Sequence, residues 1–590
     1  MAARWHMRSR AVSQLYKHAR MTVRHGLLAV ALAGAALAVT AAEPAPNLTG
    51  IAKLTPTVAE APLAYFDWFE YAGHDTVFDT PLPQGTYRNP ILAGFYPDPS
   101  VTRRGDVFYL VNSTFTYFPG IPVFESRDLV HWRQIGNVIE RPNEFNFDGL
   151  NVSRGMFAPT IRFHDGLFYV VCTAVDSGGS FLTVAKSPAG PWSDPIFLPG
   201  LEGAIDPSLF FDDDGKVYLL NNGLPEGPDQ YQGHRAIWIQ EMDVVTRKLI
   251  GPRKVILNGG ADFSKKPIWI EGPHMYHRDG WYILMCAEGG TSFQHSEVVL
   301  RSRSPWGPFE PYAGNPILTQ RDLPADRANP ATNAGHAELV EAADGSWWAV
   351  FLASRPYERI YYNTGRETFL LPVTWRDGWP TILEAGKEIP YTASAPKLGA
   401  GGRSVLTPTT GNFVLRDDFV GRLLQTQWMY VRVPKQPWAD LALRPGWLTI
   451  HALTTPLDSL QNMSFLARRQ QHQSFDASTE LEVPAKTGLS AGLAAFQNEN
   501  AWYFLAVRRG EVILEKRAGK QTDTIARQPL SDASRVKLKI TANARAYSFY
   551  FDADGAGWKA LKENDDGSIL STEVAGGFVG AFVGPYARAD

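Results

Sequence analysis

The stretch Asp206-Pro207-Ser208-Leu209-Phe210-Phe211-Asp212-Asp213-Asp214-Gly215-Lys216-Val217-Tyr218-Leu219 decides the fold of this chain. An Asp-Gly pair between two apolar, aromatic-rich runs is the strongest short signal for a tight hairpin, so the stretch reads as two antiparallel strands. The same phrase stands at four other places. It runs from Asp98-Pro99-Ser100 through Asp106 to Tyr109-Leu110, and from Ala158-Pro159-Thr160 through Asp165-Gly166 to Tyr169-Val170. Two further copies run from Glu271-Gly272-Pro273-His274 through Asp279-Gly280 to Trp281-Tyr282, and from His336-Ala337-Glu338 through Asp344-Gly345 to Trp347-Trp348. Copies about 50 to 65 residues apart are the signature of a propeller in which each blade is one small sheet. Five copies predict five blades.

If the phrase opens the innermost strand of each blade, its first residue points into the central channel at one end. Three of those positions carry carboxylates: Asp98, Asp206 and, one residue earlier in its copy, Glu271. An Asp before Pro also initiates ordinary turns. Three acids in register in a five-fold repeat point instead to a shared site, because carboxylates are seldom buried unless paired or functional. Three converging on one funnel must also shift one another's pKa values.

The run Tyr87-Arg88-Asn89-Pro90-Ile91-Leu92-Ala93-Gly94-Phe95-Tyr96-Pro97-Asp98-Pro99-Ser100 resembles the opening of glycoside hydrolase family 43 enzymes. These are five-bladed propellers that include β-xylosidases and α-L-arabinofuranosidases. Ile205 to Phe210, Ile270 to Tyr276 and Gly365-Arg366-Glu367-Thr368 resemble further motifs of that family, as do Glu125 to Trp132 and Gly289 to Ser296. Six such stretches in family order cover residues from about 85 to about 385.

Hydrolysis of a glycosidic bond needs a proton donor for the leaving oxygen and a carboxylate that either activates water or attacks carbon. The resemblance implies inversion, with Asp98 as general base and Glu271 as general acid. It makes Asp206 the third carboxylate, which raises the pKa of Glu271 and orients it. Base and acid should then lie roughly 6.5 to 9.5 Å apart to admit water. The resemblance further implies that Arg366 binds sugar hydroxyls and the base, a task suited to a permanently charged fork; a structural ion pair is the alternative. Phe115 and Phe157 take the positions of an aromatic wall for the terminal sugar. Phe157 replaces the tryptophan common there, and Thr160 stands where relatives often carry aspartate. His336 corresponds to a family histidine at the channel, in some members beside a structural calcium ion. Imidazole is not a natural ligand for an oxygen-seeking ion, so no metal ligand is assigned outright, and no cofactor is required.

Bulk properties agree with an exported sugar-processing enzyme. The 590 residues suggest two domains after a leader. Aromatic residues make up 12%, which suits β architecture and sugar stacking. A net charge of −3 with no basic patch argues against a nucleic-acid partner. The two cysteines, Cys172 and Cys286, each lie in an apolar run and read as buried thiols, with a disulfide as the alternative. Residues 1–42 read as an upstream leader and secretory signal: Arg24 and His25, an apolar run from Leu27 to Val39, then Thr40-Ala41-Ala42 before Glu43-Pro44. The apolar run is short for a membrane helix, and no cysteine follows it to carry lipid, so the expected location is periplasmic or extracellular.

The propeller is expected over 85–390, followed by an Ala/Gly/Ser/Pro/Thr-rich linker over 391–411. Short alternating runs such as Trp447 to Ile450, Ala501 to Val507 and Arg535 to Ile540 predict a β-sandwich over 412–590. This segment resembles the concanavalin-like, jelly-roll module that follows the propeller in many family β-xylosidases. In those a loop closes one side of the pocket, and here the candidates are Phe578 and Phe582. A pocket closed in this way accepts only a chain end. The fold class is therefore all-β, a five-bladed propeller followed by a sandwich.

Within the extension over 43–84, Ala64-Tyr65-Phe66-Asp67-Trp68-Phe69-Glu70-Tyr71 resembles the aromatic closing strand that such modules carry at their end. It reads either as a strand leading into the propeller or as a strand, 63–71, that crosses over to complete the sandwich. The expected function is an exo-acting inverting α-L-arabinofuranosidase or β-xylosidase acting on arabinose- or xylose-containing oligosaccharides and plant cell-wall side chains. A propeller that binds carbohydrate without catalysis and another type of propeller glycosidase are the alternatives. The sequence leaves the sugar preference, the parent polysaccharide and the oligomeric state open.

Overall fold

Each copy of the repeated phrase forms the first hairpin of one blade. The hairpins pair Ser100–Arg104 with Val107–Val111, Thr160–His164 with Leu167–Val175, Ile205–Phe211 with Val217–Gly223, Glu271–Arg278 with Trp281–Glu288, and Thr332–Glu341 with Trp347–Ser354. Further antiparallel strands complete sheets of four, with one short extra strand in the second and fourth blades. The five first strands neighbour one another in cyclic order, and that of the fifth blade lies against that of the first, which closes the ring. The computed structural model describes residues 61–398 and 407–590, apart from positions 486, 531, 532, 554 and 556. The expected leader, 1–42, lies outside the described residues.

The same irregularity recurs at the top of three innermost strands. Between Ile205 and Ser208, Glu271 and His274, and Gly335 and Glu338, the inner strand carries one residue more than its partner. Such a bulge bends the strand and re-aims a side chain. The residue inside each bulge has left-handed backbone: Asp206 at φ 51°, Gly272 at φ 57° and His336 at φ 53°, and Asp98, just ahead of its strand, is at φ 50°. Non-glycine residues adopt this region at a cost, and where several do so at one locus the surrounding fold must hold them there.

The sandwich has two sheets of eight strands. Leu63–Gly73 runs inside one of them, antiparallel to Ser474–Glu482 on one side and to Leu448–His451 and then Phe413–Asp417 on the other. A register shift between Phe66 and Trp68 explains its burial pattern, Ala64 and Phe66 inward and then Phe69 and Tyr71. The Tyr71 hydroxyl accepts N–H bonds from Gln471 and His472 at 3.0 and 3.1 Å and meets His472 Nδ1 at 3.2 Å. His472 Nε2 is 2.8 Å from the Gly411 carbonyl, so it carries the proton and Nδ1 receives the one from Tyr71.

The second sheet takes its edge strand, Tyr117–Phe118, from the propeller segment, paired with Met429–Val431. Part of the expected linker is likewise ordered: Thr392–Ser394 pairs with Thr86–Arg88, and Asn89 N–H donates to Tyr391 O at 2.9 Å. A three-residue strand is too short to leave a periodic pattern in sequence. Positions 399–406 of that linker lie outside the described residues. Cys172 and Cys286 are both buried and free.

Candidate active site

The bulges bring Asp206, Glu271 and His336 to one end of the channel beside Asp98 and Arg366, and each of the five is between 5 and 8% exposed. They form the floor of a site that water reaches only narrowly. Segment 91–96 runs beside 366–368, with Tyr96 N–H donating to Arg366 O at 3.0 Å and Ile91 N–H to Thr368 O at 2.9 Å. That pairing brings Arg366 to Asp98. Its Nη1 donates to Asp98 Oδ1 at 2.7 Å, and the Ser113 hydroxyl donates to Oδ2 at 2.6 Å. His336 Nδ1 lies 3.8 Å from Asp98 Oδ1. Burial works to raise the Asp98 carboxyl, yet Arg366, His336 and the Ser113 hydroxyl together hold it below the ordinary carboxylate value.

Glu271 stands in the opposite environment. Burial first, then the negative charges of Asp206 and Asp98, push its carboxyl far above the usual range. Burial also raises Asp206. Asp206 Oδ2 accepts the N–H of Gly272 at 3.2 Å, so the third acid grips the backbone immediately after Glu271. Gly272 is required twice over: its φ is left-handed, and a Cβ there would lie 2.8 Å from His336 Nε2. One carboxylate held ionised and one carboxyl held neutral in the same cleft is the electrostatic arrangement that separates a base from an acid.

The sandwich supplies one wall. Phe578 lies in the loop before the last strand, Phe582–Ala589, and its N–H donates to Ser153 Oγ at 2.9 Å. Its ring stacks on Phe115 at 6.0 Å and meets Phe157 edge-on at 5.9 Å, while Phe115 and Phe157 lie 5.1 Å apart. The Arg366 guanidinium is 5.9 Å from both Phe115 and Phe578 and donates to the Phe578 carbonyl at 3.4 Å. The loop docks by Ala581 N–H on Asn363 O at 2.7 Å, and a Cβ on Gly365 would lie 2.8 Å from Gly580 Cα. Phe582 takes a different place. It is 1% exposed and stacked on Tyr117 at 4.0 Å, behind the aromatic wall rather than in it. Thr160 is buried at the start of the second blade's inner strand.

Several residues at the site carry no sequence signal of their own. Ser113 follows an apolar strand like any other loop serine. Glu297 is fully buried and accepts the Ala337 N–H at 2.9 Å, which fixes the His336 bulge. His295 packs against Gly335 and is kept neutral by burial, its pKa down at about 3. The buried pair Arg355 and Glu367 sits behind Arg366, with Nε to Oε2 at 2.7 Å. A charged residue closing the apolar run Ala349 to Ser354 is the one hint of it in sequence.

His336 offers a poor seat for calcium. It brings an imidazole nitrogen where an oxygen-rich set is needed, and its neighbour Asp98 has both oxygens engaged by Arg366 and Ser113. Among the described residues the three-residue group with metal-ligand spacing is Asp212, Asp213 and His277, at the far end of the strand that begins beside Asp206.

Comparison with known proteins agrees with this architecture. The sequence profile of glycosyl hydrolases family 43 matches residues 87–380, and that of the beta xylosidase C-terminal concanavalin A-like domain matches residues 416–590. A xylosidase/arabinosidase of Butyrivibrio fibrisolvens is 41% identical over 85% of this chain and 96% of its own length. A non-reducing end alpha-L-arabinofuranosidase of Bacteroides ovatus is 39% identical over 86% of this chain and 92% of its own. The crystal structure of a GH43_12 protein retrieved from a capybara gut metagenome superposes with a TM-score of 0.84, at 39% identity, over 90% of this chain and all of that one.

Proposed function

The chain belongs to glycosyl hydrolases family 43 and is a glycoside hydrolase, and from that premise we propose that it removes single arabinofuranosyl or xylosyl units from the ends of oligosaccharides and cell-wall side chains, with inversion. One observation carries the assignment of roles: Asp98 is held ionised by Arg366 while Glu271 is held protonated by burial and two neighbouring acids. Asp98 is the general base. It takes a proton from water as that water attacks the anomeric carbon. Glu271 gives its proton to the departing oxygen, and bond making and breaking on opposite faces inverts the centre. Asp206 holds the backbone beside Glu271 and supplies the charge that keeps the proton on it.

Arg366 both orients Asp98 and reaches toward the sugar hydroxyls, between Phe115 and Phe578. Phe115, Phe157 and Phe578 pack against the apolar face of the terminal sugar, and His336 borders it from the fifth blade. The sandwich loop that carries Phe578 blocks passage of a chain, which supports action at an end. Relatives named for xylosidase and for arabinofuranosidase activity support both pentoses as substrates.

A panel of nitrophenyl pentosides, arabinofuranoside against xylopyranoside, tests the substrate class. Glu271→Gln and Asp98→Asn should each lower turnover on natural glycosides by about 10²- to 10⁴-fold with the fold intact. Near wild-type rates in either variant would remove that residue from its role. Proton NMR of the first product should show the anomer opposite to that of the substrate; initial retention would mean that Asp98 attacks carbon. We also propose export to the periplasm or exterior, on the charged, apolar and small-residue pattern of residues 22–42, to be checked by sequencing the mature amino terminus.

A further inference from the structure

The loop over 259–270 leaves the outer strand of the third blade, Lys248–Asn258, and delivers the chain to Glu271 on the pocket face. Its last residues behave differently from one another. Ile270 is fully buried, while Trp269 beside it is 39% exposed, and Ile268 and Phe263 on the same loop are exposed to nearly the same degree. Trp269 has φ 56°, an outlier for a bulky residue that persists only where the surroundings hold it. They do so here: Trp269 N–H donates to Gly233 O at 2.8 Å, and Ile268 O accepts from Gly289 N–H at 2.9 Å. The loop is therefore pinned on both sides while it presents an indole to water.

One face of that indole is already backed. The Arg235 guanidinium lies 4.6 Å from the ring centroid, its Nη1 tied to His234 O at 2.9 Å. Its positive charge is also the last of those acting on the Glu271 carboxyl, behind Asp206, Asp98 and Arg366. An acid that protonates a leaving oxygen must face the leaving group, and Trp269, two residues before Glu271, is the exposed aromatic that this loop holds beside it in the chain. We propose that Trp269, backed by Arg235, is the platform for the first sugar ring on the leaving-group side of the scissile bond. The apolar face of a pyranose or furanose ring lies on the indole, and the remaining Arg235 N–H groups reach its hydroxyls. This rests on the reading of Glu271 as the general acid.

The test compares two substrates with the same terminal pentose: a disaccharide, whose leaving sugar can reach Trp269, and the pentosyl fluoride, whose leaving group cannot. Trp269→Ala should lower kcat/KM on the disaccharide by about tenfold or more, mainly through KM. The fluoride should stay within about twofold of wild type. Trp269→Phe, which keeps an aromatic face, should retain most of the disaccharide activity. Equal losses on both substrates, or an unchanged disaccharide rate, would overturn the platform. The role of Glu271 is read separately: Glu271→Gln should spare the fluoride, which departs without a proton, and lose the disaccharide. Unimpaired disaccharide cleavage by that variant would remove the acid and the platform argument with it.

Discussion

Replacing Arg366 with methionine removes the cation 2.7 Å from Asp98 and leaves an apolar stem between Phe115 and Phe578. Asp98 remains buried, with Ser113 and His336 as its other supports. An adjacent arginine ordinarily lowers an aspartate pKa by about 1–3 units, so losing it should raise that of Asp98. Each unit corresponds to about 1.4 kcal/mol of differential stabilisation of the ionised form. The sign follows from the role proposed for Asp98 as general base. A general base must be deprotonated, so a raised pKa moves the acid limb of kcat/KM to higher pH. Arg366 also acts on Glu271 in the same direction, but behind burial and the charges of Asp206 and Asp98. The alkaline limb should therefore rise less, and the bell should shift upward and narrow. The assay is kcat/KM on a nitrophenyl pentoside followed across the acid and alkaline limbs of its pH profile. Arg366→Lys keeps the charge without the fork and should move the acid limb less. An acid limb that stays in place or moves down in Arg366→Met would refute the claim that this guanidinium keeps the base ionised.

Tyr71→Phe should cost about 3 kcal/mol or more in urea unfolding, because two buried N–H groups and one imidazole nitrogen lose their partner together; a loss under about 1 kcal/mol would show that the hydroxyl is dispensable. Glu367→Gln leaves Arg355 with Asp75 as its remaining carboxylate and should destabilise by about 1.5–3 kcal/mol, read as a lowered unfolding midpoint, with activity falling alongside. Phe578→Ala should raise KM on pentosides by about tenfold or more, with less effect on kcat, and an unchanged KM would remove the sandwich from the pocket wall.

The five hairpins were legible because Asp-Gly turns and aromatic strands repeat locally, and local signals survive in a linear string. The offset of Glu271 by one position was legible too, but its meaning was not. Aligned on the following proline, the counterpart of Asp98 and Asp206 is Gly272. Only the bulge between Glu271 and His274 shows how a side chain one position earlier reaches the same channel. The aromatic segment at 64–71 announced a strand, while its neighbours, Ser474–Glu482 and Phe413–Asp417, lie some 340 to 410 residues away and leave no trace in its own pattern. Of the two phenylalanines in the last glycine-rich stretch, sequence could not separate Phe578 from Phe582. The glycines that allow close approach flank both, and only docking against Thr364 and Gly365 decides which ring faces the cleft.

The position of Arg366 depends on more than the propeller. Arg355, 1% exposed, joins three parts of the chain: Nη1 donates to Asp75 Oδ2 at 2.6 Å, Nε to Glu367 Oε2 at 2.7 Å, and Nη2 to the Gln471 carbonyl at 3.0 Å. Asp75 Oδ1 in turn accepts the N–H groups of Gln473 and Ser474, and Glu367 Oε1 accepts that of Gly94 at 2.6 Å. Glu367 is the residue after Arg366, and Gly94 lies four before Asp98. The backbone on both sides of the Asp98–Arg366 ion pair is thus tied to one buried cation, whose remaining bonds go to the amino-terminal extension and to the sandwich. A buried arginine that loses one of these partners is left with unpaired N–H groups, and one that loses both carboxylates is an uncompensated charge. The early strand and the sandwich therefore act on Asp98 through the geometry of Arg366, and the sandwich also reaches the cleft through the Phe578 loop. This explains why a propeller whose acids all come from its own blades is nonetheless built together with a second domain: the fork that keeps Asp98 ionised is aligned from outside the ring.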